Sequence, residues 1–157
     1  MTQPIPQGFH SVTPSVIFKD SMKAVEFYKK AFNAKLVSVF PAPGGKGVMH
    51  ATMQIGNSII MMADEMCGPQ VKSIESQGSS PSNFWIYTEN ADAMFKQAVQ
   101  AGAVSTMPVE DMFWGDRMGA LKDPFGFSWC IATHTKDLTD DQVKKNAEAF
   151  FASMAKK

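Results

Sequence analysis

Long apolar runs are missing: no stretch approaches the roughly 18 consecutive apolar residues that a membrane span requires. Charge of one sign is missing as well. Fifteen Lys and Arg residues balance fifteen Asp and Glu residues, so there is no basic footprint for nucleic acid or an anionic membrane. Cysteine is scarce, with two in 157 residues. Cys67 falls in a loop and Cys130 in a strand-like run, and two thiols do not make the disulfide framework of a secreted protein. The first residues, MTQPIPQGFHS, show no basic segment followed by an apolar one, which excludes a secretory signal there. Neither G-x-x-x-x-G-K-[ST] nor G-x-G-x-x-G occurs, so no nucleotide-phosphate loop is indicated. These absences leave the expectation of a soluble, reduced, cytoplasmic protein of one domain over 1–157, with no nucleic-acid or membrane partner.

What is present is punctuated and periodic. Residues 1–10 carry Pro4, Pro6 and Gly8 and read as an extended arm. SVTPSVIF is a strand whose Pro14 suits an edge. DSMKAVEFYKKAFNA is a helix capped by Asp20 or Ser21, with Met22, Val25, Phe27, Tyr28 and Phe32 inward and Asn33 as a left-handed stop. KLVSVFPA, VMHATMQIG and SIIMMADE follow as strands, with PGGKG and Gly56-Asn57 turning between them. Residues 66–81 are rich in Ser, Gly and Pro and read as a connector. The order then recurs: strand SNFWIYT, helix ENADAMFKQAVQAGA with Met94, Phe95 and Val99 inward, strand VSTMPVE, loop DMFWGD, strand RMGALK, turn DPFG, strand FSWCIATH. The tail, about 138–156, is a helix in which Thr139 and Gln142 form a capping box. It either packs at the chain end or docks on a second subunit.

The recurrence sets the architecture. Asp20 matches Glu89, Ala24 matches Ala93 and Ala34 matches Ala103, each 69 residues on; Gly56 and Gly126 are 70 apart. Each unit reads strand–helix–strand–strand–strand, and such repetition outweighs any single motif. The units are expected at about 11–65 and 82–135. Side by side they can enclose a space.

The paired βαβββ units resemble the vicinal oxygen chelate superfamily of glyoxalases, bleomycin- and fosfomycin-resistance proteins and extradiol dioxygenases. DSMKAVEFYKKAFNA is similar to that superfamily's first helix, and DPFGFSW to its turn into the final strand. GVMHATMQIGNSIIMMADE and PVEDMFWGDRMG resemble the PhnB-like branch. The resemblance covers about residues 11–135. It implies an α+β fold of two tandem modules forming a curved half-barrel around a cavity, with a C-terminal helix added here, usually in a homodimer. It also implies four positions where other members hold a divalent ion: Thr13, Ile60 (or Met61, one register step on), Asn83 and Cys130. Those side chains do not suit a hard divalent ion, so no metal cofactor is expected.

Alternation along the strands nominates other groups. In VMHATMQIG, Met49, Ala51, Met53 and Ile55 share one face, and Val48, His50, Thr52 and Gln54 share the other. The apolar face should pack under a helix and the polar face should look into the cavity. His50 is then a proton-transfer group near neutral pH, or else a structural histidine; alternation does not decide. Arg117 offers a bidentate clamp for an anion, with Asp116 to orient it. Phe113, Trp114 and Trp85 offer apolar walls, and Asp64 a carboxylate at the cavity mouth. His10 and His134 are expected at the surface, and Cys130 as a small core group. The expected catalytic set is His50, Arg117 and Asp116; the expected binding set is Thr52, Gln54, Asp64, Trp85, Phe113 and Trp114. Two functions fit: metal-independent lyase- or isomerase-type chemistry on a small anionic molecule, or non-catalytic sequestration of a small antibiotic-like or xenobiotic compound.

Overall fold

A computed structural model of the protein describes residues 3–65 and 72–154. Residues 66–71 of the expected connector, Cys67 among them, lie outside the described residues, as do the first two residues of the arm and the end of the expected tail helix. The first module is β1 (Ser15–Phe18), α1 (Ser21–Phe32), β2 (Lys35–Pro41), β3 (Val48–Ile55) and β4 (Ser58–Asp64). A short helix, α2 (Ile74–Gln77), stands within the expected connector. The second module is β5 (Asn83–Tyr87), α3 (Ala91–Ala101), β6 (Val104–Asp111), β7 (Asp116–Lys122) and β8 (Ser128–His134), and α4 (Asp140–Met154) ends the chain.

Local chemistry explains the boundaries. Asp20 caps α1 by accepting from the Lys23 N–H, and Asn33 ends it in the left-handed region. Asn90 caps α3 in the same way, and Gly102 ends it at φ +119°. These caps satisfy backbone groups that a helix end leaves free. Thr139 and Gln142 make the reciprocal pair expected before α4: the Thr139 N–H donates to Gln142 Oε1 at 2.9 Å, and the Gln142 N–H to Thr139 Oγ1 at 3.3 Å.

Each module forms one four-stranded sheet, ordered β1-β4-β3-β2 and β5-β8-β7-β6. The first and last strands of each module pair in parallel and the rest are antiparallel. This is the expected tandem βαβββ architecture; both sheets are curved and neither closes. Pro14 immediately precedes β1, which is an edge strand.

The two modules meet through their helices and one continuous apolar core. Phe18 packs edge-on to Phe125 and beside Phe127, and Phe32 sits 4.7 Å from Trp129 between ring centres. Gln97 on α3 donates to the Lys30 carbonyl and to Asn33 at the end of α1. Met22 and Val99, expected inward, are exposed, while the small Ala24, Ala31, Ala91 and Ala98 are buried. One face of each sheet lies on this shared core, and the other is left open. No side chain of α4 is fully buried; it rests on the β6–β7 turn through Phe150 and Phe151, both against Phe113.

Candidate functional site

The register assigns the strand-borne candidate side chains to a face. In β3, Ala51 and Met53 are buried in the core, while His50 and Thr52 point to the open face of the first sheet. That split is the one alternation predicts for residues 50–53; at the start of the strand it reverses, with Val48 buried in the core and Met49 48% exposed beside the register irregularity at Phe40 and Pro41. His50 Nε2 lies 3.1 Å from Thr52 Oγ1, and its ring leans on Phe40. Thr52 is only 4% exposed. Gln54 turns back to donate to the Gly56 carbonyl at 3.0 Å.

Asp64 does not join them. It shares the core-side face with Ile60 and Met62, and its carboxylate accepts from the Ser21 N–H at 2.6 Å and the Val48 N–H at 2.8 Å. Both oxygens are thus committed to backbone, pinning the start of α1 and of β3 to the end of β4. The same register puts Met61, paired with Thr52, on the open face and buries Ile60.

The expectation that Asp116 orients Arg117 is overturned by the same alternation. The two are consecutive in β7, so their side chains leave opposite faces of the sheet. Arg117 lies on the helix side, where Nε and Nη2 grip both oxygens of Asp92 at 2.6 and 2.7 Å and Nη1 reaches Asp111 at 3.1 Å. These contacts raise the Arg117 pKa further and lower that of Asp92. The guanidinium is already engaged and does not face the open side.

Asp116 instead anchors the open face of the second sheet. It is 2% exposed. Its Oδ2 accepts from the Tyr87 hydroxyl and from Trp114 Nε1, both at 2.9 Å, and its Oδ1 lies 2.8 Å from His134 Nδ1. Burial pushes its pKa up, but the bonds from His134, Trp114 and Tyr87 outweigh burial and hold it below the ordinary value. The same bond raises the Tyr87 pKa. His134, expected as a plain surface residue, is therefore part of the site. It stands opposite Asp116 across the β7–β8 ladder, a pairing visible only once the strands are in register.

Around this polar knot the open face is apolar. Met118, Cys130 and Ala132 are buried there, with Met107, Met112, Trp114 and Ala120 packed beside them. Trp85 and Tyr87 stand on β5 at the edge, 41% and 63% exposed, with ring centres 6.2 Å apart. A cavity of about 340 Å³ lies at the β5 edge between the modules, lined by Thr13, Ile60, Phe84 and Ile86 as well as Trp85 and Tyr87. An open hollow of about 510 Å³ lies on the other side of Tyr87, lined also by Thr88, Glu89, Thr133 and His134. Phe113 is turned away against Trp114 and α4. The structure thus brings Trp85, Trp114 and Asp116 to one site, leaves His50, Thr52 and Gln54 on the other sheet, and takes Arg117 and Asp64 to structural contacts.

The four positions that hold a divalent ion elsewhere in the resembling superfamily do not fit one here. Thr13 Oγ1 donates to the His10 carbonyl at 3.2 Å. Asn83 Nδ2 donates to Cys130 Sγ at 3.7 Å, and burial raises the Cys130 pKa, favouring the neutral thiol. Met61 adds only a thioether. A hydroxyl, a thioether, a carboxamide and a thiol supply no anionic oxygen for a hard ion.

Two tandem βαβββ modules with an open sheet face apiece define a class of small-molecule cavity folds. Residues 8–131 match the Glyoxalase/Bleomycin resistance protein/Dioxygenase superfamily, and the chain belongs to it. The chain is 32% identical over 137 residues to the protein Rv0887c of Mycobacterium tuberculosis, covering 85% of this chain and 80% of that one. Among solved structures, the At5g48480 gene product of Arabidopsis thaliana superposes with TM-score 0.63 at 27% identity, over 79% of this chain and 98% of that one. The putative 3-demethylubiquinone-9 3-methyltransferase, PhnB protein, of Bacillus cereus does so with TM-score 0.62 at 17% identity, over 79% and 99%; at that identity the likeness shows the fold alone. Among the described residues no helix is long and apolar enough to cross a membrane.

Proposed function

We propose that the chain is a cytoplasmic, PhnB-like homodimer that binds a small molecule with a flat apolar body on the open face of its second sheet, without a divalent metal. Binding, rather than lyase or isomerase chemistry, is the reading the geometry supports best. The expected catalytic trio is dispersed: His50 lies on the first sheet, Asp116 on the open face of the second, Arg117 on its helix side. The observation that carries the proposal is Asp116, a buried carboxylate gathering Tyr87, Trp114 and His134 in an otherwise apolar sheet face. Ligand sites are typically apolar surfaces with a few placed polar groups. Trp85 and Tyr87 supply flat exposed area beside that knot, and aromatic rings favour a planar partner. Their strand is a free edge; an edge bearing exposed rings is a template for pairing with another chain, which supports a second copy closing the site.

The test is a thermal-shift screen of planar aromatic compounds against the wild type and Trp85→Ala, with light scattering for mass. The expected result is a set of compounds that raise the melting temperature of the wild type and not of the variant, on a particle of twice the chain mass. Compounds that stabilise both proteins equally would place the ligand elsewhere.

A further inference from the structure

Both ring nitrogens of His134 face carboxylate oxygens. Nδ1 lies 2.8 Å from Asp116 and Nε2 lies 3.0 Å from Asp137. An ionised carboxylate only accepts hydrogen bonds, so the protonated ring can donate from Nδ1 to Asp116 and from Nε2 to Asp137 at once. Asp137 first, then Asp116, raises its pKa.

The two acids differ in how firmly they are held. Asp116 is buried and holds two further donors from β5 and the β6–β7 turn. Asp137 belongs to the connection between β8 and α4, its side chain is fully exposed, and its contact with His134 is its one side-chain hydrogen bond among the described residues. An exposed ion pair of this kind contributes little and exchanges readily with solvent. The Nε2–H therefore carries a carboxylate that a ligand can displace at small cost. The hollow it faces is walled by the exposed Tyr87, and Trp85 continues that surface.

We propose that Asp137 is an internal placeholder, and that the Nε2–H of His134 is the recognition point for an aromatic monocarboxylate whose ring lies over Tyr87 and Trp85. This rests on the ligand face proposed above and names its ligand class. A ligand carboxylate at Nε2 takes the place that Asp137 holds, and the freed Asp137 carboxylate turns into the solvent that already surrounds it. The groups facing His134 are Asp116 from β7, Tyr87 from β5, Asp137 from the connection and Glu89 from the turn into α3. Glu89 at the rim disfavours a second negative charge, hence a monocarboxylate. Thr133 adds no free donor, because its hydroxyl already donates to the Thr88 carbonyl and accepts from the Ala91 N–H.

The test uses three probes on one aromatic body: indole-3-acetate, indole-3-acetamide and tryptamine, titrated calorimetrically into the full-length protein. At pH 6 the acetate should bind about tenfold more tightly than the acetamide, the scale of one hydrogen bond to a charged group, and tryptamine most weakly. That preference should fade as pH rises through the raised His134 pKa, because the imidazolium is lost. His134→Gln should abolish the preference for the acetate over the acetamide. Asp137→Asn should tighten the acetate by up to about fivefold, the worth of an exposed pair. Equal binding of acetate and acetamide, stronger binding of tryptamine, or weaker acetate binding by Asp137→Asn overturns this inference and leaves the ligand face standing. Failure of all three probes to bind overturns the ligand face as well.

Discussion

Removing the Asp123 carboxylate should loosen the joint between the two modules. Asp123 opens the DPFG turn and is 4% exposed. Its Oδ1 accepts from the Phe125 and Phe127 N–H groups, both at 2.9 Å. Its Oδ2 accepts from the Tyr28 hydroxyl at 2.7 Å and Trp129 Nε1 at 2.9 Å. Tyr28 belongs to the first module, so one carboxylate links both modules. Asp123→Ala strands the Tyr28 hydroxyl and the Trp129 N–H in a region where both residues are 2% exposed. Each buried orphan costs about 1–3 kcal/mol, so a loss of about 4 kcal/mol is expected. For a chain of this size that lowers the melting temperature by roughly 8–16 °C. Tyr28→Phe removes one donor and leaves the carboxylate with three, so about 1 kcal/mol is expected. The double variant should lose less than the sum, because the orphaned hydroxyl is gone.

The rival effect is the burial of the charge itself, which raises the Asp123 pKa despite the four bonds. A group whose folded pKa is raised stabilises most below its unfolded pKa, and that contribution is lost as pH rises through the folded value. The gap between wild type and Asp123→Ala should therefore be widest in acid and narrow as pH rises through the raised value. Thermal unfolding by circular dichroism reads all of this. A variant within about 1 kcal/mol of wild type at pH 7 would show that burial of the charge cancels its bonds, and would refute the reasoning.

Three further outcomes follow from particular contacts. Gly115 has φ +101°, and a Cβ there would strike the Lys136 carbonyl; Gly115→Ala should cost about 2–3 kcal/mol by backbone strain alone, read in the same melts. Glu65 is held at a pKa of about 2 by bonds from Ser73 and Ser76, so its contribution is present above the ordinary value of 4.5 and lost as pH falls toward 2. Glu65→Gln should accordingly show a shallower acid fall in melting temperature than wild type, and an equal fall would contradict the bond. Cys130, with its raised pKa and buried thiol, should resist iodoacetamide in the native protein at pH 8 and react on unfolding, as peptide mass spectrometry would show; rapid native alkylation would mean the floor of the second sheet is open.

The parts of the fold that were legible in the sequence rest on local physics. Asp20, Asn33, Gly102 and the Thr139–Gln142 pair act within a few residues of themselves, so their roles can be read without knowing the fold. The near-69-residue repetition announced two modules for the same reason. Strand alternation correctly separated His50 and Thr52 from Ala51 and Met53. Alternation in SIIMMADE puts Asp64 on the face of Ile60 and Met62, which is the core side and not the open face. DMFWGD has the composition of a loop, which hides that Asp116 opens β7 and that Arg117, the next residue, must point to the opposite face. His134 was missed because its significance depends on lying opposite Asp116 across the β7–β8 ladder, a relation between strands that neither segment encodes alone. Tyr87 carried a weak signal, two residues after Trp85 on the same face of one strand.

A ligand beside Asp116 on the second sheet would perturb the indoles near it and spare the one in the core. The chain has three tryptophans, and they report on different places: Trp85 on the exposed edge, Trp114 bonded through Nε1 to Asp116, and Trp129 in the core bonded to Asp123. Indole N–H resonances from ¹⁵N-labelled protein, followed during titration with indole-3-acetate, test that placement most directly. The Trp85 and Trp114 signals should shift together in a saturable way while Trp129 stays fixed. Movement of Trp129 alone, or binding that leaves Trp85 and Trp114 unmoved, would contradict it.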